Sequence, residues 1–251
     1  MNRVVNKMNV IITMAGLGKR FRDAGYNCPK YEIVVHGHTL FYWSMLSLQS
    51  FIDAKANFIF VVRKEDNSRD FIEQQSHLAK INSIQILEID QLTDGQATTA
   101  LMGGKMLAQP ELPFVVYNID TFVHPSSLPV KAIKGDGWIP CFPGKGDGWS
   151  FAKVDDNNRV LDLREKVRIS DHATIGLYWF SSFNLYQKLY NDYYSDPANI
   201  EKGEKYIAPM YRDMLRKGLD VYIHNVPYDS VSPLGTPAEV QQFISHEPPI
   251  V

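Results

Sequence analysis

Only two cysteines, Cys28 and Cys141, occur in the 251 residues, far apart and without CxxC spacing. This excludes a disulfide framework and a thiolate-rich metal site, and each reads as a plain thiol. No run approaches the ~20 apolar residues of a membrane-spanning helix. Met1 to Val10 carries two basic residues but no long apolar stretch, so no signal peptide is expected there. A cytoplasmic location without membrane association follows as the expectation. An excess of one charge is also lacking, because 26 lysines and arginines face 28 aspartates and glutamates. No global positive field draws the chain to nucleic acid, and any anionic ligand must be held by a local site. His36, His38, His172 and His224 show no metal-ligand spacing and read as structural or surface residues.

What is present is an ordinary globular composition, with 45% hydrophobic and 22% charged residues. A single domain over residues 1–251 is expected. Asn9 to Ala15 is a short, continuous, β-branched apolar run closed by Gly16, the pattern of a strand buried on both faces. Similar runs recur at Phe58 to Val62 and Phe114 to Tyr117, with a more alternating one at Ile84 to Ile89. Thr39 to Phe51, Asp70 to Ala79 and Gln96 to Leu107 place apolar residues three or four apart and predict helices covering a sheet. Strands alternating with helices imply βαβ units. The predicted fold is α/β, a Rossmann-like doubly wound, mixed and mainly parallel sheet with helices on both faces.

After Asp120 the texture changes. Gly135, Gly137, Gly144, Gly146 and Gly148 crowd a stretch that reads as loops between irregular strands. Ser150 to Val154 and Val160 to Arg164, joined by Asp155 to Asn158, predict a β-hairpin. Ala173 to Phe180 and Val221 to Val226 read as strands. Ser182 to Tyr193, Tyr206 to Lys217 and Thr236 to Ile244 read as helices, the second closed by Gly218.

The sharpest local signal is Gly16-Leu17-Gly18-Lys19-Arg20-Phe21 directly after the first strand, followed by Pro29-Lys30. Glycines at the carboxyl end of a parallel strand let the backbone approach a ligand, and their N–H groups form an anion nest. Lys19, Arg20 and Lys30 add positive charge. The third glycine of a dinucleotide fingerprint is missing, and so is the G-K-[ST] ending of a P-loop. A second carboxylate-bearing signal is Phe114 to Phe122, a buried strand that delivers Asp120 at its carboxyl end, suited to a hard cation such as Mg²⁺.

The string MAGLGKRF with the following PK pair resembles the opening signature of the sugar nucleotidyltransferases, or NDP-sugar pyrophosphorylases. That resemblance implies that Ala15, Gly16, Leu17 and Gly18 wrap a triphosphate. It implies further that Arg20, with Lys19 as helper, contacts the outer phosphates, and that Lys30 stabilises the α-phosphate. Asp90 to Ala100 resembles the family's base-reading segment, assigning Gln91 and Gly95 to the nucleobase; the interval between them is one residue shorter than the family pattern. Alternatively, Thr93 or Asp94 simply caps the following helix. Asp120 resembles the metal-binding aspartate. Glu165-Lys166 resembles an EK pair whose lysine holds the acceptor phosphate, and Thr174 to Tyr178 resembles a strand that brings Gly176 close to the sugar. Glu204 to Pro209 and Leu234 to Glu239 complete the order and resemble a branch that includes capsule and surface-polysaccharide enzymes. Where relatives place a second metal aspartate, this chain has Pro233.

The expected reaction is Mg²⁺-dependent nucleotidyl transfer from an NTP to a sugar 1-phosphate, with release of pyrophosphate. Residues 9–122 form the expected nucleotide half and residues 123–245 the expected acceptor half. The partners are then an NTP and a small phosphorylated acceptor, with a homo-oligomer left open. Alternatives are a cytidylyltransferase acting on a non-sugar phosphomonoester, a glycosyltransferase, for which Asn118-Ile119-Asp120 is only part of a DxD motif, and a degenerate nucleotide-binding regulatory module. Trp138, Trp149 and Tyr178 either line the acceptor pocket or belong to the core. The base, the acceptor and the replacement for the second carboxylate stay open.

Overall fold

The computed structural model describes residues 7–250; the reading of residues 1–6 as part of a non-leader segment lies outside them. Ten strands share one mixed sheet: β1 (Asn9–Thr13), β2 (Asn57–Arg63), β3 (Ile84–Ile89), β4 (Phe114–Asn118), β5 (Gly137–Phe142), β6 (Ser150–Val154), β7 (Val160–Glu165), β8 (Ala173–Thr174), β9 (Leu177–Phe180) and β10 (Val221–Asn225). β4, β1, β2 and β3 lie side by side and parallel. Antiparallel β9 joins β4 to the second half of the sheet. This is the expected Rossmann-like α/β architecture.

The continuous apolar runs exist because both sheet faces are covered. Ile11, Ile59, Val61, Phe114 and Val116 face one core cluster, while Val10, Ile12, Phe58, Phe60, Val115 and Tyr117 face the other. The helices Gln96–Gly104, Phe183–Tyr193 and Tyr211–Arg216 contribute to the first cluster, and Leu40–Leu46 and Arg69–Leu78 to the second. Among the described residues no helix is long and apolar enough to cross a membrane.

Two expected helices are interrupted. Thr39 to Phe51 divides into Leu40–Leu46 and Gln49–Asp53. Buried Ser47, at the break, donates to Trp43 O and accepts the Val123 N–H at 2.8 Å, so its hydroxyl serves a neighbouring strand. Tyr206 to Lys217 begins its α-helix only at Tyr211, after the single turn Ala208–Met210 that contains Pro209. The hairpin Ser150–Val154/Val160–Glu165 forms as expected, its turn fixed by Asp155 Oδ1 accepting from Asn157 N and Arg159 N at 2.9 Å each.

The glycine-rich stretch is not all loop. Gly137–Phe142 is buried at every position, pairing with β8 and β9 along one edge and with parallel β10 along the other. Gly137 is a packing glycine: a Cβ there would lie 2.7 Å from Tyr211 Cε1 and 3.1 Å from Met214 Cε. The Tyr211 ring cannot swing away freely, because its hydroxyl donates to Trp179 O at 2.8 Å. Gly137→Ala is therefore expected to destabilise the protein by about 1–3 kcal/mol through overpacking. An unchanged urea midpoint would contradict this packing role.

Candidate active site

The carboxyl ends of β1 and β4 are neighbours in the sheet, with Thr13 paired to Asn118. Whatever follows these strands emerges side by side at one edge, where ligands of open α/β sheets bind. A cleft of about 990 Å³ opens there. Ala15, Gly16, Leu17, Gly18, Lys19, Arg20, Lys30, Gly95, Asp120, Glu165, Lys166 and Gly176 all line it, so residues from every part of the chain converge on one cavity.

The first wall is the glycine turn. Gly18 adopts φ 61° and ψ 28° as the N-cap of the short helix Lys19–Asp23, and its carbonyl accepts from Phe21 N and Arg22 N. Phe21 is buried and anchors the helix, leaving Lys19 and Arg20 exposed at the cleft. Lys30 follows Pro29 in the turn Lys30–Glu32. Its neighbour Tyr31 is buried, with the hydroxyl 2.9 Å from Ser68 Oγ, and Ser68 in turn donates to Glu32 Oε1 at 2.9 Å. That pinned turn carries the Lys30 ammonium to 2.7 Å from Asp120 Oδ2.

Asp120 is held as firmly. The Ile119 carbonyl accepts from Ser44 Oγ at 3.0 Å, the Thr121 carbonyl accepts from Tyr117 OH at 2.7 Å, and Leu234 N donates to Asp120 O at 2.8 Å. Pro233 lies in the strand Val231–Pro233, paired with Thr121 of the strand Thr121–Val123. It lines the cleft but supplies no carboxylate. The nearby acid is Glu239: a Cβ on Gly235 would lie 3.3 Å from Asp120 Oδ2 and 3.6 Å from Glu239 Oε2, so the two carboxylates flank one point. Thr236 caps the helix Pro237–Ser245 by accepting the Glu239 N–H. Sequence reading missed Glu239 as a site residue, although it stood within a quoted motif.

The segment after β3 behaves differently from expectation in one respect. Gln91 is exposed and outside the residues lining the cleft, whereas Leu92 to Gln96 line it. Gln96 donates to Asn118 Oδ1 and, at 3.2 Å, to Thr13 Oγ1, forming a polar floor between the two central strands. The cap of helix Gln96–Gly104 is Gly95 itself, without a side-chain cap bond from Thr93 or Asp94. Gly95 adopts φ 138°, and a Cβ there would sit 2.5 Å from the Lys205 backbone N and O. Only glycine fits both demands.

The remaining wall comes from the hairpin. Glu165, 9% exposed, accepts from Ser150 Oγ and lies 3.6 Å from Lys166 Nζ. Burial pushes its carboxyl pKa up, and the Ser150 bond and the Lys166 charge only partly counter this. Lys166 donates to Tyr206 OH at 2.8 Å. Burial alone would lower its pKa, but Tyr206, Glu165 and Glu204 outweigh that, and the ammonium is held above its ordinary value. Gly176 lies against Asn118, whose N–H donates to the Gly176 carbonyl at 3.2 Å. Trp149 and Tyr178 line the cleft, while Trp138 is a fully buried core residue packed against His224. Cys141 is buried, Cys28 is exposed, and both are free thiols.

A glycine turn, five cleft-lining cations, Lys19, Arg20, Lys30, Lys145 and Lys166, and the Asp120 and Glu239 carboxylates suit a polyanionic substrate. The chain matches no protein-family model and no curated protein. Among solved structures, it is 34% identical to the nucleoside-diphosphate-sugar pyrophosphorylase from Vibrio cholerae RC9, with a TM-score of 0.86, over 94% of this chain and 100% of that one. It shares its fold with the inositol-1-phosphate CTP transferase from T. maritima at 15% identity and TM-score 0.72, over 97% of this chain and 98% of that one. The fold is also that of the CTP:phosphocholine cytidylyltransferase from Streptococcus pneumoniae, at 17% identity and TM-score 0.71, over 95% and 98% of the two chains. Near-complete coverage at 34% identity, on a chain whose glycine turn, PK lysine and strand-end aspartate meet in one cleft, places this protein in the sugar nucleotidyltransferase family.

Proposed function

We propose that the protein transfers a nucleotidyl group from an NTP to a sugar 1-phosphate, releasing pyrophosphate and making an NDP-sugar for polysaccharide biosynthesis. The observation that carries this reading is the 2.7 Å Lys30–Asp120 pair beside the glycine turn, in the same cleft as Lys166. Two anions must approach each other in such a reaction, and catalysis rests on positioning them and neutralising their charge. In this reading residues 9–122 form the nucleotide half of a single domain and residues 123–245 the acceptor half, with Glu239 returning to the nucleotide side.

The backbone of Ala15 to Gly18, with Lys19 and Arg20, holds the outer phosphates. Lys30 keeps one N–H on Asp120 and has two more to offer the α-phosphate. Gly95 and the Gln96 end of the loop face the base. Lys166 holds the acceptor phosphate, one oxygen of which attacks the α-phosphorus as the bond to the β-phosphate oxygen breaks and pyrophosphate leaves. Lys30 and Arg20 take up the charge that develops at the α-phosphate and on the leaving group.

The donor set fits Mg²⁺, which takes one or two carboxylates and completes its shell with phosphate oxygens and water. Asp120 and Glu239 flank one point at the cleft. Among the described residues there is no cluster of three or more acidic, histidine or cysteine groups that would make a closed protein cage. Held by Asp120 and Glu239, Mg²⁺ would supply Lewis-acid neutralisation of the phosphate oxygens. The test is pyrophosphate release with Mg²⁺ from each of the four ribonucleoside triphosphates and dTTP, against a series of sugar 1-phosphates and other phosphomonoesters. Release that requires one nucleotide and one sugar 1-phosphate is expected. Nucleotide binding with no pyrophosphate from any pair would overturn the reading.

A further inference from the structure

The glycine-rich turn after β5 is tied down by side chains from outside it. Arg168 Nη1 donates to Gly144 O at 3.0 Å and to Gly146 O at 2.9 Å, while its Nη2 donates to Asp171 Oδ1 at 2.9 Å. The carbonyl between these two, Lys145 O, accepts from Trp149 Nε1 at 3.0 Å. Gly144 is buried where a Cβ would lie 2.7 Å from Phe142 Cζ and 2.9 Å from Ala173 Cβ, and Gly146 adopts φ 76°. The glycines let three consecutive carbonyls reach fixed donors. The exposed Lys145 therefore starts from a pinned backbone and lines the cleft.

Lys166, on the same half of the chain, hangs from the same tryptophan. Its backbone N–H donates to Trp149 O at 2.9 Å. One lysine backbone is thus anchored at the main chain of Trp149 and the other at its indole, which sets the two apart by the length of that side chain. The two charges keep different company. Lys166 lies 3.6 Å from Glu165 Oε1 and donates to Tyr206 OH at 2.8 Å. Among the described residues Lys145 has no ion pair and its ammonium makes no hydrogen bond; it lies only over the Tyr228 ring, 5.4 Å from the centroid. A ring face attracts a cation without taking up its N–H groups, so all three donors are free for a ligand.

We infer that Lys145 is a specificity-determining residue, and that the acceptor carries a second anionic group, a carboxylate or a further phosphate, in addition to the phosphate that is linked. The inference rests on the nucleotidyl-transfer reading and narrows its acceptor class. Lys166 already serves the phosphate that attacks, and Lys145 offers a second positive point on the same side of the cleft. An ammonium is strongly hydrated, and an anion repays the loss of that water better than a neutral hydroxyl does.

The test measures pyrophosphate release by the full chain with Mg²⁺ and each of the four ribonucleoside triphosphates and dTTP, using acceptors matched in pairs. Glucose 1-phosphate is set against glucuronic acid 1-phosphate and against glucose 1,6-bisphosphate, galactose 1-phosphate against galacturonic acid 1-phosphate, and ethyl phosphate against 2-phosphoglycolate. In the wild type the member with the second anion is expected to have the higher kcat/KM by about tenfold, the size of one charge-assisted hydrogen bond. Which of the acidic partners is used tells a carboxylate from a phosphate. Lys145→Met is expected to fold with a thermal midpoint close to the wild type and to erase the preference through KM, and Lys145→Arg to retain most of it. Equal use of both members by the wild type, preference for the neutral one, or a preference that survives in Lys145→Met overturns the inference and leaves nucleotidyl transfer standing. No pyrophosphate from any nucleotide with any acceptor overturns nucleotidyl transfer and the inference with it.

Discussion

Lys30→Ala is expected to lower turnover by on the order of 10² or more, the usual loss when one preorganised electrostatic stabiliser is removed. The fold should survive. The turn Lys30–Glu32 is anchored by the buried Tyr31 ring and the Tyr31–Ser68–Glu32 hydrogen bonds, none of which involves the Lys30 side chain. Asp120 would lose its partner, but it is 28% exposed and water can replace the ammonium, so the stability cost is small. The informative pattern is a large fall in kcat for pyrophosphate release, with a thermal midpoint close to the wild type. Near wild-type turnover in a folded Lys30→Ala protein would remove Lys30 from the α-phosphate.

Asp120→Asn is expected to be at least as damaging, for a different reason. The substitution keeps the side-chain shape and takes away the charge that pairs with Lys30 and that, in the proposed reading, would hold a hard cation. Charge stabilisation by a bound metal is worth several kcal/mol, and each 1.36 kcal/mol is a factor of ten in rate, so a loss of roughly 10² to 10³ follows. Higher Mg²⁺ should recover part of the activity, and the Mn²⁺ affinity of the nucleotide complex, measured by electron paramagnetic resonance, should fall. Glu239→Gln should weaken Mn²⁺ in the same direction by a smaller factor, since it leaves Asp120 in place. Unchanged Mn²⁺ affinity in Asp120→Asn would dissociate this carboxylate from the metal.

Much of this arrangement was legible in the sequence because it depends on strand ends. Gly16 to Arg20 follow β1 and Asp120 follows β4; two runs buried on both faces imply central parallel strands, and β1 and β4 are adjacent. The hairpin carrying Glu165-Lys166 was legible because Asp155 makes a turn that needs only local bonds. The misses come from contacts distant in sequence. The stretch from Gly135 to Gly148 read only as loops between irregular strands; the bounds of the strand Gly137–Phe142 stayed hidden because its first glycine weakens a strand pattern, when it is the space that Tyr211 requires. Gln91 read as a base contact, yet the chain leaves β3 at Ile89 and turns outward, with Asp90 reaching Lys64 at 3.3 Å; the glutamine that reaches the cleft floor is Gln96. Glu239 read as part of a helix start, which it is, and only the approach of Gly235 to Asp120 shows its carboxylate beside the metal candidate. Tyr206 stood within the quoted segment Glu204 to Pro209, but its contact did not show there, because its partner Lys166 lies 40 residues away.

The most direct measurement follows the oxygen atoms of the acceptor. With ¹⁸O in the phosphate of the sugar 1-phosphate that supports turnover, mass spectrometry of the products is expected to find the label wholly in the NDP-sugar, with one labelled oxygen forming the new P–O–P bridge, and none in the pyrophosphate. Label in the pyrophosphate, or nucleotide consumption without a labelled NDP-sugar, would contradict attack by the acceptor phosphate on the α-phosphorus.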